Sequence, residues 1–416
     1  MRFQVAARVT FAATIVSIGI YAGPLKTTFK AEFEKGKPVA YSEELGYGFS
    51  PGSPLSVVEH GGKSFVTSDK PFYFSADVSE GNYLVTVTLG DAEGESTTTI
   101  KAELRRLMVE KVHTARGQME TVRFIVNVRT PQIPTGGEVR LKPREKTMEA
   151  AAWDNKLTLQ FSNSEPKVAS IEIGKIDVPT LYIAGDSTST DQPREPFNSW
   201  GQMLTRFFKP EIAVANHGES GESLKGFMGE KRLAKLETLM KPGDWLFIQM
   251  GHNDQKEKGE GVGAFTTYKE SLKQLIAAAR EHGTTPVLVT SMNRLTFDAD
   301  GKITNSLGDY PEAVRQTAKE EKVALIDLNA MSKPFYEALG PVKSHVAFAG
   351  NDTTHHSDYG SYEFAKCIVQ GIKDAKLPLA RHLVDVATFD PAHPDSPEKF
   401  DIPPDPVVMT EKPYGN

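Results

Sequence analysis

Hydrophobic and polar positions alternate with two different periods along this chain, and the period changes near Pro179. Upstream, in YLVTVTL, Tyr83, Val85, Val87 and Leu89 alternate with Leu84, Thr86 and Thr88, and VRFIVNV and KLTLQF repeat the pattern. A period of two is that of strands with one buried face. Turn signals such as GDAEGE and TGGE bound these runs, which predicts an all-β sandwich over residues 25–178. Downstream, the short apolar runs TLYIAG, IAVAN, DWLFIQMG, PVLVTS and VALIDL alternate with helical stretches. In SWGQMLTRFF, Trp200, Met203, Leu204 and Phe207 follow helical spacing, and EFAKCIVQGI forms another helix near the end. Buried strands with intervening helices predict an α/β domain over residues 179–378, a parallel five-stranded sheet with flanking helices. In such a sheet the ligand site lies beyond the carboxyl ends of the strands. Residues 379–416 are proline-dense and aperiodic, which predicts a tail extended along the surface.

The amino terminus follows neither period. Arg2 and Arg8 precede an uncharged apolar stretch over residues 9–22, then small residues and Pro24. That is the layout of a signal peptide over residues 1–24. The stretch is shorter than the roughly 20 apolar residues a spanning helix needs. The expectation is therefore a secreted or periplasmic protein with no membrane association after cleavage; retention as an anchor is the alternative. A chain of 416 residues has room for two domains, and 39% hydrophobic with 25% charged residues is the make-up of a soluble globular protein. A net charge of −6 offers no electrostatic footprint for nucleic acid. The single cysteine, Cys367, has no partner for an internal disulfide and sits on an apolar helical face, where it packs.

Four polar clusters follow strand ends or precede the last helix. Gly185-Asp186-Ser187 follows the first strand, where a serine on a tight strand-to-helix turn projects its hydroxyl beyond the sheet edge. The plainer reading of that tripeptide is a helix N-cap. The loop Asn216-His217-Gly218-Glu219-Ser220-Gly221-Glu222-Ser223 has glycines that let backbone N–H groups approach a developing oxyanion, or that simply make a turn. Gly251-His252-Asn253-Asp254 offers an asparagine amide that can donate to an oxyanion without adding charge, or cap the next helix. In Asp352-Thr353-Thr354-His355-His356-Ser357, a spacing of three sets Asp352 and His355 on adjacent faces of one turn. The carboxylate can then hold Nδ1–H while Nε2 receives a proton. His356 is offset by about 100° if the turn is helical. Paired histidines raise the question of a metal, but helical ligand pairs favour i,i+4 spacing, so no metal is expected. Each cluster alone is ambiguous, whereas their order along the chain assembles a nucleophile, two oxyanion donors and an acid–histidine pair at one sheet edge.

With these clusters the chain resembles the SGNH hydrolases, a flavodoxin-like esterase superfamily whose four named residues correspond to Ser187, Gly221, Asn253 and His355. The segments LYIAGDSTST, NHGESGESLKGF, FIQMGHNDQK, TSMNRLTFDADGK, LGDYPEAVR and DTTHHSDYGSYEFAKCI resemble in particular the rhamnogalacturonan acetylesterases, carbohydrate esterases acting on pectin. The resemblance implies a catalytic set of Ser187, Asp352 and His355, and an oxyanion hole from Ser187, Gly221 and Asn253. It implies an acetylated plant cell-wall polysaccharide as substrate and no cofactor. Arg294, Tyr310 and His356 are candidates for sugar contacts. One block departs from the family's usual Gly-Arg-Ser, because Gly221-Glu222-Ser223 stands there. The upstream half, through GYGF, PFYFSADVSEGNYLVTVTLGD and WDNKLTLQF, resembles the galactose-binding-like sandwich that precedes such domains in bacteria. Tyr47, Phe49, Phe72, Phe74 and Trp153 are its candidate core or sugar-stacking aromatics. Esterase action on acetylated xylan or a small acyl ester, and a non-catalytic carbohydrate-binding protein, are the rival readings.

Overall fold

A computed structural model describes residues 28–32 and 38–413; the expected signal peptide lies outside the described residues. The period-two half forms two antiparallel sheets. One contains β1 (Thr28–Glu32), β3 (Ser56–His60), β4 (Lys63–Thr67), β6 (Gly81–Gly90), β9 (Met119–Val128) and β11 (Lys167–Lys175), in the order β3-β4-β11-β6-β9 with β1 also paired to β11. The other runs β2-β5-β10-β7-β8, from β2 (Tyr47–Phe49), β5 (Phe72–Asp77), β7 (Ser96–Ala102), β8 (Arg106–Thr114) and β10 (Lys156–Ser162). In β6 the side chains of Tyr83, Val85, Val87 and Leu89 are buried while Leu84, Thr86 and Thr88 are half-buried, as the alternation requires. Phe49, Phe72 and Phe74 lie in the core between the sheets, and Tyr47 packs against it.

The second half is a parallel sheet in the order β13-β12-β14-β15-β16, from β12 (Thr180–Gly185), β13 (Ala213–Asn216), β14 (Trp245–Gln249), β15 (Thr285–Val289) and β16 (Ala324–Ile326). Helices α1 (Trp200–Leu204), α2 (Leu224–Gly229), α3 (Arg232–Glu237), α4 (Lys269–Glu281), α5 (Tyr310–Glu321), α6 (Leu328–Lys343) and α7 (Asp358–Asp374) accompany it. Every residue of β12, β13 and β14 is buried, which is why their sequences read as continuous apolar runs. The strand order reverses at β12, with β13 on one side and β14 on the other. The loops leaving these strands therefore border the crevice where doubly wound sheets bind ligands.

The proline-dense end departs from the surface tail expected for it. Leu379, Leu383, Phe389 and Ile402 join the catalytic-domain core, and Met409 packs with Phe197 and Ala349. The Asp405 carboxylate accepts a 2.6 Å hydrogen bond from Gln160 of the sandwich, and Met409 N–H donates to the Glu195 carbonyl at 2.7 Å. Prolines prevent a regular ladder, but widely spaced apolar side chains still find pockets. Among the described residues no helix is long and apolar enough to cross a membrane.

Helix α7 is capped by Ser357, whose Oγ accepts from Gly360 N at 3.3 Å, and it crosses the backbone of Ala347 at very close range. A Cβ on Gly360 would lie 2.0 Å from the Ala347 carbonyl oxygen. By helix propensity alone Gly360→Ala should stabilise by up to about 1 kcal/mol. The expected outcome is the reverse, a loss of about 1–3 kcal/mol from overpacking against backbone, read as a lower midpoint in denaturant unfolding.

Candidate active site

The nucleophile turn is shaped by contacts that only its own residues permit. A Cβ on Gly185 would fall 1.9 Å from Ser189 Oγ and 3.2 Å from the Gln249 carbonyl oxygen, so a side chain there would displace Ser189 from its place in the turn. Asp186 Oδ1 accepts from Thr188 N at 3.0 Å and Thr188 Oγ1 at 2.7 Å, closing the turn, while its Oδ2 faces His252 Nδ1 at 3.2 Å. Burial opposes ionisation of Asp186, yet His252 and the Thr188 donors hold its carboxyl below the ordinary range. Ser187, between these anchors, places Oγ 2.8 Å from His355 Nε2.

His355 is aimed by Asp352. The intervening turn is not helical: Asp352 Oδ1 accepts from the backbone N–H groups of Thr354 at 2.7 Å and His355 at 3.0 Å, which brings Oδ2 to 3.0 Å from His355 Nδ1. The Phe197 ring packs edge-on to the imidazole, centroids 6.0 Å apart. Burial disfavours the Asp352 carboxylate, but the hydrogen bond and charge of His355 and the two backbone donors carry it well below its ordinary value. Burial lowers His355, and Asp352 opposes that only in part, so the imidazole is neutral at pH 7 and free to take a proton at Nε2.

The other donors border the same crevice. Gly221 has φ +77°, a left-handed conformation that favours glycine. Among the described residues the N–H groups of Ser187 and Gly221 meet no protein acceptor. Asn253 Oδ1 receives Lys256 Nζ at 3.3 Å and Nδ2 donates to the Glu222 carbonyl at 2.9 Å, leaving one amide N–H to spare. A nucleophile, a neutral base held by a carboxylate, and unspent N–H donors are the groups acyl transfer requires.

Of the three candidates for sugar contacts, the structure brings Arg294 to the catalytic turn and Tyr310 to a cleft that none of the catalytic residues lines. Arg294 donates to Thr354 Oγ1 at 3.1 Å and the His252 carbonyl at 3.4 Å. Tyr310 donates to the Asp254 carbonyl at 3.1 Å and lines a cleft of about 420 Å³ with Lys225, Met228, Asp254 and Tyr268. His356 turns away: its Nε2 meets Tyr336 Oη at 2.8 Å inside a cluster with Phe348 and Phe364, and it is 1% exposed. The chain here is extended, bridging Asn198 and Phe348, so consecutive side chains take opposite faces and His356 belongs to the core. Sequence reasoning missed Gln192, whose Nε2 donates to the Ser187 carbonyl at 2.8 Å and to Ser220 Oγ at 3.2 Å. It also placed His252 in the third polar cluster without a role, because the partner that gives it one, Asp186, lies 66 positions away in the chain. Among the described residues no group of three or more His, Cys, Asp or Glu is placed to hold a metal ion.

Comparison with known proteins matches residues 183–361 to the GDSL-like Lipase/Acylhydrolase family. Rhamnogalacturonan acetylesterase RhgT of Bacillus subtilis (strain 168) is 39% identical over 219 residues, 49% of this chain and 94% of that protein. Probable rhamnogalacturonan acetylesterase YesY of the same organism is 41% identical over 216 residues, 49% of this chain and 97% of that protein. The uncharacterized esterase YxiM, also from that organism, is 27% identical over 350 residues, 80% of this chain and 85% of that protein.

The His355 environment sets a pH dependence. Because the neutral imidazole is the base, activity toward an activated acetyl ester should rise with pH through a midpoint below 6.5 and be level at neutrality. Asp352→Asn removes the contributions that raise the His355 pKa and the acceptor that selects its tautomer. Its midpoint should move further down while the plateau kcat/KM falls by about 10⁴-fold, as a pH–rate profile of both proteins will show.

Proposed function

The chain belongs to the GDSL-like lipase/acylhydrolase family, beside the rhamnogalacturonan acetylesterases, and is a carboxylic ester hydrolase; from that premise we propose that it is an exported enzyme removing O-acetyl groups from the pectic polysaccharide rhamnogalacturonan. The observation that carries the reading is the relay from Ser187 Oγ through His355 to Asp352, at 2.8 Å and 3.0 Å. His355 Nε2 takes the Ser187 proton as Oγ attacks the acetyl carbonyl carbon. Negative charge collects on the carbonyl oxygen, where the N–H groups of Ser187 and Gly221 and the spare amide N–H of Asn253 stabilise it. Collapse breaks the bond to the sugar oxygen, which leaves with the proton His355 carries, and an acetyl-serine remains. Water then gives its proton to His355 and attacks the acetyl-serine, and acetate departs as Ser187 recovers its proton. Asp352 stays ionised throughout and holds Nδ1–H. The preference for rhamnogalacturonan is supported by the names of two relatives at 39% and 41% identity. Export is supported by the charged, apolar and small-residue succession in residues 1–24.

Acetate release from acetylated rhamnogalacturonan is expected from the wild-type protein and should fall at least about 10³-fold in Ser187→Ala. Faster release from acetylated xylan would replace the substrate and keep the chemistry. No release from any acetylated glycan would falsify the proposal. Mass spectrometry of the exported protein should find a new amino terminus near residue 24; an intact Met1 on a membrane-bound chain would reverse the export assignment.

A further inference from the structure

The loop that carries Gly221 is held from the other domain. Between β9 and β10 the chain leaves the sandwich and lays residues 129–153 against the catalytic half. From this segment Lys142 Nζ donates to the Ser220 carbonyl at 2.9 Å and pairs with the buried Glu222 carboxylate. The Ser220 carbonyl and the Gly221 N–H are the two ends of one planar peptide group. Fixing the oxygen fixes the direction of the N–H. A cation on the carbonyl also polarises the peptide and strengthens its N–H as a donor.

The same segment reaches the nucleophile turn. Arg144 donates to Gln192 Oε1 at 3.1 Å. A guanidinium only donates, so the Gln192 amide must present its oxygen to Arg144 and its Nε2 to the Ser187 carbonyl and Ser220 Oγ. The two loops thereby share one amide whose orientation the sandwich domain selects. On its far side the Gly221 loop is tied to the third donor, since Asn253 Nδ2 donates to the Glu222 carbonyl at 2.9 Å.

We propose that Lys142 is a positioning residue for ester hydrolysis, orienting and polarising the Ser220–Gly221 peptide so that its N–H stabilises the oxyanion, and that the N-terminal domain thereby completes the active site. The inference rests on the assignment of Gly221 N–H to the oxyanion hole under the proposed function. Lys142 touches no reacting atom, and its effect falls on the transition state rather than on substrate binding.

The test compares wild type, Lys142→Met, Lys142→Arg, the charge-balanced Lys142→Met/Glu222→Gln double variant and Asn253→Ala on 4-nitrophenyl acetate. Arg232 also faces the Glu222 carboxylate, but Lys142 is its hydrogen-bonded cation, so the double variant removes the charge that loses this partner and is expected to fold even where Lys142→Met does not. Circular dichroism and thermal unfolding check this. Expected are a kcat lower by about 10- to 100-fold in the double variant with KM within about twofold, substantial recovery in Lys142→Arg, and a matching weakening of a boronic acid inhibitor whose serine adduct is a tetrahedral anion. A folded double variant with kcat within threefold of wild type overturns the inference, because Lys142 then only neutralises Glu222. Asn253→Ala separates the two levels: about a 10²–10³-fold loss there, with a fully active double variant, removes Lys142 and leaves the oxyanion hole standing. A wild-type protein inactive on every acyl ester overturns both.

Discussion

Carboxylates withdrawn from water must be paired with cations or take up protons, and this requirement organises the seam between the two halves of the molecule. The catalytic half contributes Asp191, Glu195, Glu219, Glu222 and Asp358, all buried. Most of the countercharge comes from the other half. Arg106 meets Asp191 at 2.7 Å, Arg105 meets Glu195 and, at 3.1 Å, Asp358, and Lys142 meets Glu222. Where cations fall short the carboxyl holds its proton more tightly: burial, then the charges of Glu149 and Glu145, push Glu219 well above the ordinary carboxylate range. His217, buried among Arg129, Lys235 and Arg232, is kept neutral by burial first and by those cations second. Breaking such a pair from one side costs about 3–5 kcal/mol. The sandwich is therefore locked to the catalytic half by buried ion pairs rather than loosely appended to it.

The reacting groups stand on this seam. Asp191 Oδ1 accepts from Asn216 Nδ2 at 3.0 Å, and the same amide donates to the Ser189 carbonyl at 2.7 Å. One paired carboxylate thus steadies the turn that presents Ser187. Gly201 of α1 passes so close that a Cβ would lie 2.2 Å from that carbonyl, so helix, turn and seam fit together without slack. The C-terminal segment closes the opposite side, where Met409 packs on Phe197 and Lys412 Nζ comes within 3.6 Å of Asp352 Oδ2. Preorganisation of this kind keeps donors in place before charge develops on the substrate.

Much of the architecture was legible in the sequence because local periodicity reports which faces are buried. The change from period two to buried runs near Pro179 marked the passage from sandwich to parallel sheet, and the runs now seen as β12 to β16 were all visible. Ser187, Asn253, Asp352 and His355 were legible as candidates because each sits at a strand end or before the last helix, where a doubly wound sheet exposes polar groups, whereas Gly221 was distinguished from the other glycines of its loop only by the family resemblance. A helical turn would separate His355 from His356 by about 100°. The structure brings His355 to Ser187 by a different route, an aspartate turn followed by extended chain.

The sequence by itself determined the two architectures, the order of the strands along the chain and the chemical inventory of the site, because these follow from side-chain type and short-range spacing. Only the tertiary structure decided that His356 faces the core, that the proline-dense end packs across both domains, and that Lys142 and Arg144 reach the catalytic loops. Each of those depends on contacts between residues tens to hundreds of positions apart, such as Arg144 with Gln192 and Asp405 with Gln160. Periodicity shows that a side chain is buried; it does not show against what.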